Sequence, residues 1–287
     1  MEVKGYIGSD AYRLLDTGNK LKLEKIGGFF VVRSEPRAWW KQRLPKAEWE
    51  KAVAIFDKED KKEWALKEKT PHEFTVSFEG LMIKLKFIKS SKHVGFFPEQ
   101  ADQWNWLRER VHGKKDLHVL NMFGYTGMAS LVAAQAGAKV THVDGSKTAI
   151  AWARENQELS DLREAPIRWI VDDALDFVKR EVKRNNYYDG IIMDPPSFGR
   201  GPKGQVWKVE EDLPQLLTLC QELFTDTPLF LILNMYSTEL SSISLANLVS
   251  ETVDGFEGSL EFGELGIEED KSRRILPLSI FARWKAR

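Results

Sequence analysis

The sequence predicts an α/β protein: an open, mostly parallel sheet covered on both faces, with a smaller β-rich module ahead of it. Three observations carry this. From about residue 116, apolar runs of strand length alternate with helix-forming stretches, the rhythm of βαβ units. Four successive runs in that region end on a glycine turn or an acid. Charge also divides the chain. Residues 1–92 carry 20 Lys+Arg against 14 Asp+Glu, net +6, whereas residues 93–287 carry net −7. Two modules are therefore expected, 1–92 and 93–287.

In the first module, KLEKIGGFFVVRSEP places a Gly-Gly turn before an apolar strand that a proline closes. EFTVSFEGLMIKLKFIK alternates about a Glu-Gly turn and reads as a hairpin. In its second arm Met82, Lys84 and Lys86 share one face, and Ile83, Leu85 and Phe87 the other. Between these two segments, PKAEWEKAVAIFDKEDKKEWALKEKT is rich in helix formers and charge, so one or two solvated helices are expected.

In the second module, LHVLNMF (117–123) is the first strand, followed by a turn at Gly124 and Gly127 and a helix through Ala136. AKVTHVD (138–144) leads into helix SKTAIAWARENQEL, and IRWIVDD (167–173) into ALDFVKREVKR. YDGIIMD (188–194) leads through a polar Gly/Pro loop into EDLPQLLTLCQELF. PLFLILNMY (228–236) is a fifth strand before SSISLANLVSET, and SLEFGEL and LPLSIFARW close the chain.

Bulk composition narrows the function. The net charge of −1 argues against a globally basic nucleic-acid binder, although the basic first module hints at an anionic partner. The single cysteine, Cys220, can form neither an internal disulfide nor a cysteine metal cluster, which suits a reducing compartment. MEVKGYIGSDAYRLLDTG lacks the apolar core of a signal peptide, and no run approaches the ~18 apolar residues of a membrane span. A cytoplasmic protein without a membrane partner is expected.

The strand ends carry the chemistry. In a doubly wound sheet they line one rim, where ligands bind. NMFGYTGMAS is a strand–turn–helix with glycines at 124 and 127. It is neither GxGxxG nor a Walker loop, which disfavours a nucleoside triphosphate and weakens the case for a dinucleotide. Asp144, at the end of the second strand, can take both hydroxyls of a ribose. Asp173, ending the third, can accept from an adenine amino group; each acid can equally cap the helix that follows. Asp194 ends the fourth strand and runs into Pro195 and Pro196, which fix φ and remove backbone donors. A nucleoside site without a phosphate cradle is what S-adenosylmethionine needs.

These motifs resemble class I S-adenosylmethionine-dependent methyltransferases, and within them the group containing the bacterial large-subunit ribosomal RNA methyltransferases I and K. The resemblance lies in HVGFFPEQADQW, NMFGYTGMAS, HVDGSKTAIAWARENQEL, VDDALDFV, DGIIMDPPSFGRG and FLILNMYS, and covers roughly residues 92–287. Two departures are visible: no PUA pattern precedes these motifs, and PEQADQW has no arginine before Arg108. The resemblance implies a Rossmann-like, seven-stranded doubly wound sheet with S-adenosyl-L-methionine as cofactor. It implies that Phe97 and Gln100 wall the cofactor and that Asn121, Gly124, Thr126 and Gly127 meet its methionine end. It places Asp144 and Gly145 at the ribose, Asp173 and Ala174 at the adenine, and Asp194 and Pro195 at the transferred methyl, with Pro196, Ser197 and Phe198 toward the substrate.

In amino methyltransferases an Asp/Asn-Pro-Pro-aromatic turn holds a planar NH2 group between the acid and the first proline's carbonyl. Here the fourth place is Ser197, with Phe198 next, free to stack on a base or to pack in the loop. Arg200, Lys203 and Lys208 follow as candidate phosphate contacts or as a solvated loop. Carbon-5 methylation of cytosine needs a thiolate, and neither Pro195–Ser197 nor Met235–Ser237 contains a cysteine. The expectation is nitrogen methylation of an RNA base. The alternatives are a protein or small-molecule methyltransferase, a non-catalytic nucleotide- or RNA-binding module and, least favoured, an NAD-dependent oxidoreductase.

Overall fold

The computed structural model describes residues 1–56, 63–89, 91–236 and 239–287, arranged in two compact units. One comprises Gly5–Ala101 and Leu265–Leu278; the other comprises Met1–Lys4, Asp102–Glu264 and Ser279–Arg287. This division departs from the expected modules 1–92 and 93–287. The smaller unit reaches to Ala101 and also takes a segment from near the C-terminus, because the last two strands are 11 and 12 residues long and run from one unit into the other.

Strand β1 (Glu2–Tyr6) joins the large sheet. The smaller unit then builds a five-stranded sheet in chain order: β2 (Tyr12–Gly18), β3 (Leu21–Ile26), β4 (Phe29–Ser34), β5 (Ala54–Phe56) and β6 (Trp64–Leu66). The Gly27-Gly28 turn joins β3 to β4, as the sequence indicates. Among the described residues, the solvated helices expected over 45–70 reduce to α1 (Lys46–Trp49). Downstream, Ala52, Ala54 and Phe56 are buried at alternate positions, and Ala54 pairs with Val31 in a parallel ladder, so burial with period two overrides helix propensity. Residues 57–62 of that stretch lie outside the described residues. The expected hairpin is present as β7 (Glu73–Phe78) and β8 (Leu81–Lys86), turning at Glu79-Gly80. Leu81, Ile83 and Leu85 are buried, and Met82, Lys84 and Lys86 lie on the more open face.

The larger unit holds α2 (Ala101–Val111), then β9 (His118–Met122), α3 (Met128–Gln135), β10 (Lys139–Asp144), α4 (Lys147–Leu159), β11 (Ile167–Val171), α5 (Ala174–Lys183) and β12 (Gly190–Met193). A short hairpin of β13 (Phe198–Arg200) and β14 (Val206–Lys208) follows, where a loop was expected. Next come α6 (Val209–Gln221), β15 (Phe230–Tyr236), α7 (Ser242–Thr252), β16 (Gly258–Glu268) and β17 (Ile275–Ala286). The sheet order is β1-β16-β17-β15-β12-β9-β10-β11. Strands β11, β10, β9, β12 and β15 run parallel, and β17 is antiparallel to β15. The seven expected strands are present, and β1 adds an eighth at the edge beside β16. The order reverses direction between β9 and β12, which makes that gap the switch point.

Alternation along the strands builds the two faces. Leu120, Met122, Val143, Ile191, Met193, Leu231 and Leu233 share one core with α5, α6 and α7. The alternate residues meet α2 and α3: Trp106 on Phe230, Gln103 on Asn234 and Ser130 on Asn121. Cys220 is fully buried in the first of these cores, where burial pushes its thiol well above the usual range.

Candidate active site

Register alone gathers the sequence-predicted acids on one rim. Met122 of β9 pairs with Val143 of β10 and with Met193 of β12, and Asp144 pairs with Val171 of β11. The next residues along, Phe123, Asp144, Asp172 and Asp194, therefore leave the sheet within a residue or so of one another. Adjacent strands lie about 4.8 Å apart, so the rim from β12 to β11 spans about 14 Å. This is long enough for an extended nucleoside with a tail.

The turn after β9 is tightly specified. Phe123, Tyr125 and Gly127 all have positive φ, at 56°, 50° and 89°. Two aromatic residues in the left-handed region are costly and persist only when their surroundings hold them. Several contacts do so here. The Tyr125 amide donates to Asp144 Oδ2 at 2.8 Å, the Phe123 ring packs on Trp207 at 4.9 Å, and the Asn156 side chain donates to the Thr126 carbonyl at 3.0 Å. Gly124 is required by packing, since a Cβ there would sit 2.3 Å from the His142 ring. Behind the turn runs a buried polar chain. Asn121 Nδ2 donates to Ser130 Oγ at 2.8 Å, and Ser130 Oγ meets His142 Nδ1 at 2.9 Å. Burial pushes His142 down to about 3, against a bond with the Tyr125 backbone, so the ring is neutral. Asn121 thus faces inward and supports the turn with its side chain.

Asp144 receives two amides, Tyr125 on Oδ2 and Ser146 on Oδ1, both at 2.8 Å. Burial pushes its carboxyl above the ordinary range while those amides pull it back. The carboxylate is thereby oriented by two backbone donors. Gly145 is next to it, and a Cβ there would meet the Arg200 carbonyl at 3.6 Å, an ordinary contact. Asp173 caps α5: its Oδ1 accepts the Asp176 amide at 3.0 Å, the capping role weighed from the sequence. Ala174 is buried beneath it, and neighbouring Asp172 pairs with Arg180.

The DPPS segment leaves β12 with Asp194 half-buried, Pro195 buried and Pro196 exposed. Trp207, on β14, donates its indole N–H to the Pro196 carbonyl at 2.7 Å. The Val209 amide donates to the Ser197 carbonyl at 3.1 Å, and Ser197 Oγ reaches the Tyr236 carbonyl at 3.4 Å. The turn is therefore pinned at its second proline and its serine, and the Pro195 carbonyl is not the one Trp207 takes. Phe198 is 57% exposed at the base of the hairpin. Of the candidate phosphate contacts, Arg200 and Lys203 are exposed, and Lys208 pairs with Glu211 at 2.8 Å. Ser237 lies outside the described residues.

Phe97 and Gln100 belong to the smaller unit. Phe97 caps the 3-10 turn Pro98–Gln100 and lies 5.2 Å from the His93 ring, and Gln100 is buried. Sequence reasoning missed Trp207, His142, Ser130 and Asn156. No local motif marks them, because each acts through a partner 9 to 30 positions away.

A sheet that reverses at β9/β12, a two-glycine turn without a phosphate cradle, and acids aimed from adjacent strand ends define a nucleoside-binding transferase of the Rossmann-like class. Among the described residues no cluster is placed to hold a metal, and no helix is long and apolar enough to cross a membrane. The family model for S-adenosylmethionine-dependent methyltransferases matches residues 56–235, and the chain belongs to that family. A SAM-dependent methyltransferase from Agrobacterium tumefaciens superposes with a TM-score of 0.96 at 43% identity, covering 100% of this chain and 94% of that one. SMU.776, solved in complex with SAH, gives 0.73 at 19% identity over 96% of this chain and 76% of that one, and shows the shared fold. Curated relatives include the ribosomal RNA large subunit methyltransferases K/L of Pseudoalteromonas atlantica, 44% identical over 125 residues, and Hahella chejuensis, 36% over 131. These matches span 43% and 45% of the chain but only 17% of each relative. The cofactor is S-adenosylmethionine, and the rim fits it. On it, the carboxylates of Asp144 and Asp173 stand at adjacent strand ends, hydrogen-bond acceptors suited to a nucleoside's hydroxyl and amino donors.

Proposed function

We propose that this methyltransferase acts on a base nitrogen in RNA, with ribosomal RNA the substrate class that its curated relatives' names suggest. The observation that carries the nitrogen acceptor is the pinned DPPS turn. Trp207 occupies the Pro196 carbonyl, so the Asp194 carboxylate and the Pro195 carbonyl form the pair that can accept both hydrogens of a planar NH2 group. Two acceptors fix the nitrogen's lone pair in direction, and alignment at roughly 3–3.5 Å is most of what a displacement asks of the enzyme. Bound S-adenosylmethionine supplies a methyl group on a sulfonium. Phe198 offers its exposed ring as a stacking surface for the base. The chain's single thiol, Cys220, is sealed in the core, which argues against thiolate addition to a pyrimidine. Work on ribosomal RNA would place the enzyme in the cytoplasm. Mass spectrometry of ribosomal RNA from a deletion strain and its parent tests the reading. One methylated nucleoside absent from the deletion strain and restored by purified enzyme is expected; identical RNA from both strains refutes the RNA substrate.

A further inference from the structure

In the smaller unit, charge and exposure separate in an unusual way. Between Tyr12 and Lys46 there are three carboxylates, Asp16, Glu24 and Glu35, and all are buried, at 1%, 0% and 2% exposure. The exposed charges of that stretch are all positive, and Lys20, Lys41 and Arg43 enter no ion pair among the described residues. In their midst Trp39 is 83% exposed, the largest value for any large apolar side chain among the described residues.

The loop that presents Trp39 is rigidly built. Its neighbour Trp40 turns inward, donating its indole N–H to Thr17 Oγ1 at 2.8 Å, with the Arg274 guanidinium 5.0 Å from its ring. The loop backbone is tied to the β2–β3 turn at three places. The Asn19 amide donates to the Trp40 carbonyl at 2.7 Å, Lys20 to Ala38 at 2.8 Å, and Glu35 to Lys20 at 2.6 Å. Gly18 permits this approach, since a Cβ there would fall 2.4 Å from the Gln42 nitrogen. Those bonds also bring Lys20 beside the segment that carries Trp39 and Lys41. An indole held open to water on a pre-ordered loop, in a stretch whose exposed charges are all positive, loses little conformational freedom on binding.

We propose that Trp39, with Lys20, Lys41 and Arg43, is a docking platform for an unpaired RNA segment: the indole stacks on an exposed base while the cations contact flanking phosphates. Stacking accepts any base, and the cations match the polyanion. A duplex offers its phosphates but keeps its base faces stacked, so it would use the cations and not the indole. This inference rests on the RNA reading above.

The test compares wild type, Trp39→Ala, Trp39→Phe and the triple Lys20→Glu/Lys41→Glu/Arg43→Glu variant by fluorescence anisotropy with a labelled, unstructured RNA oligonucleotide and its duplex. Because Trp39 is exposed, Trp39→Ala should keep the wild-type thermal midpoint and S-adenosylhomocysteine affinity. Expected results are about tenfold weaker binding of the single strand for Trp39→Ala, near-wild-type binding for Trp39→Phe, and unchanged duplex binding. The triple variant should weaken binding of both and flatten the dependence on salt. Equal weakening by Trp39→Ala for single strand and duplex overturns the stacking role. Unchanged single-strand binding by Trp39→Ala, while the wild type methylates RNA, overturns the platform alone and points to a protein partner for this surface. A wild type that neither binds nor methylates RNA overturns both readings.

Discussion

Asp194 leaves β12 with its backbone already restrained by Pro195 and Pro196, so its carboxylate needs little reorganisation when an acceptor arrives. Removing that charge should harm orientation more than affinity. Asp194→Ala, which removes the accepting oxygen altogether, is expected to lower kcat about a hundredfold while S-adenosylhomocysteine affinity, read by calorimetry, stays within about twofold. Cys220 gives the opposite control. Cys220→Ser places a hydroxyl in an apolar core, at a cost of about 1–3 kcal/mol in urea unfolding, yet tritiated-methyl transfer should persist. Loss of transfer in a folded Cys220→Ser protein would replace the nitrogen reading with a thiolate mechanism. The rim positions of Asp144 and Asp194 were legible in the sequence, because each closes an apolar run of strand length. Asp173 was legible only as a choice between cap and ligand, and its capping bond comes from the first turn of α5.

At the scale of elements, the β13–β14 hairpin does what the proline pair cannot do alone. Its Trp207 fixes the Pro196 carbonyl and braces Phe123, linking the DPPS turn to the turn after β9. Trp207→Phe keeps the ring contact and removes the indole donor. Turnover should fall about tenfold with S-adenosylhomocysteine affinity unchanged, measured by single-turnover transfer and calorimetry. In the smaller unit, β3 and β4 share a buried ion pair, Glu24 with Arg33 at 2.6 Å, to which Tyr12 adds a hydrogen bond. Burial alone would raise the Glu24 carboxyl; Arg33 and Lys22 outweigh it and hold it at about 2, below its ordinary 4.5. A depressed carboxylate stabilises the fold above its unfolded pKa. That stability is complete above about pH 4.5 and is lost as pH falls toward about 2. Glu24→Gln should therefore destabilise by about 3–5 kcal/mol at neutral pH, since it leaves Arg33 buried without its partner. It should also flatten the acid limb of a plot of urea midpoint against pH.

For the molecule as a whole, ligand specificity follows from the shape of the rim. S-adenosylhomocysteine at a hundred times its dissociation constant should stabilise the cofactor unit by about 2.7 kcal/mol, visible as a raised thermal transition, whereas NAD should leave it unmoved. A shift with NAD and none with S-adenosylhomocysteine would overturn the cofactor assignment. The sequence by itself determined the parallel sheet, the glycine turn at Gly124 and Gly127, the acids at its rim and the β7–β8 hairpin. Each of these is written in local periodicity or in a residue whose backbone demands are local. It failed over the described residues between 45 and 56, where helix formers and charge suggest helices but Ala52, Ala54 and Phe56 turn alternately inward against β4. Only the tertiary structure decided that Trp207 locks Pro196 and that a neutral His142 backs the glycine turn. Only it decided that Leu265–Leu278 joins the smaller unit and that Trp39 stands in water while Trp40 does not. The reason is common to all four: a side chain's partner there is chosen by packing across distant segments, and neither residue spacing nor composition encodes which neighbour the fold will bring.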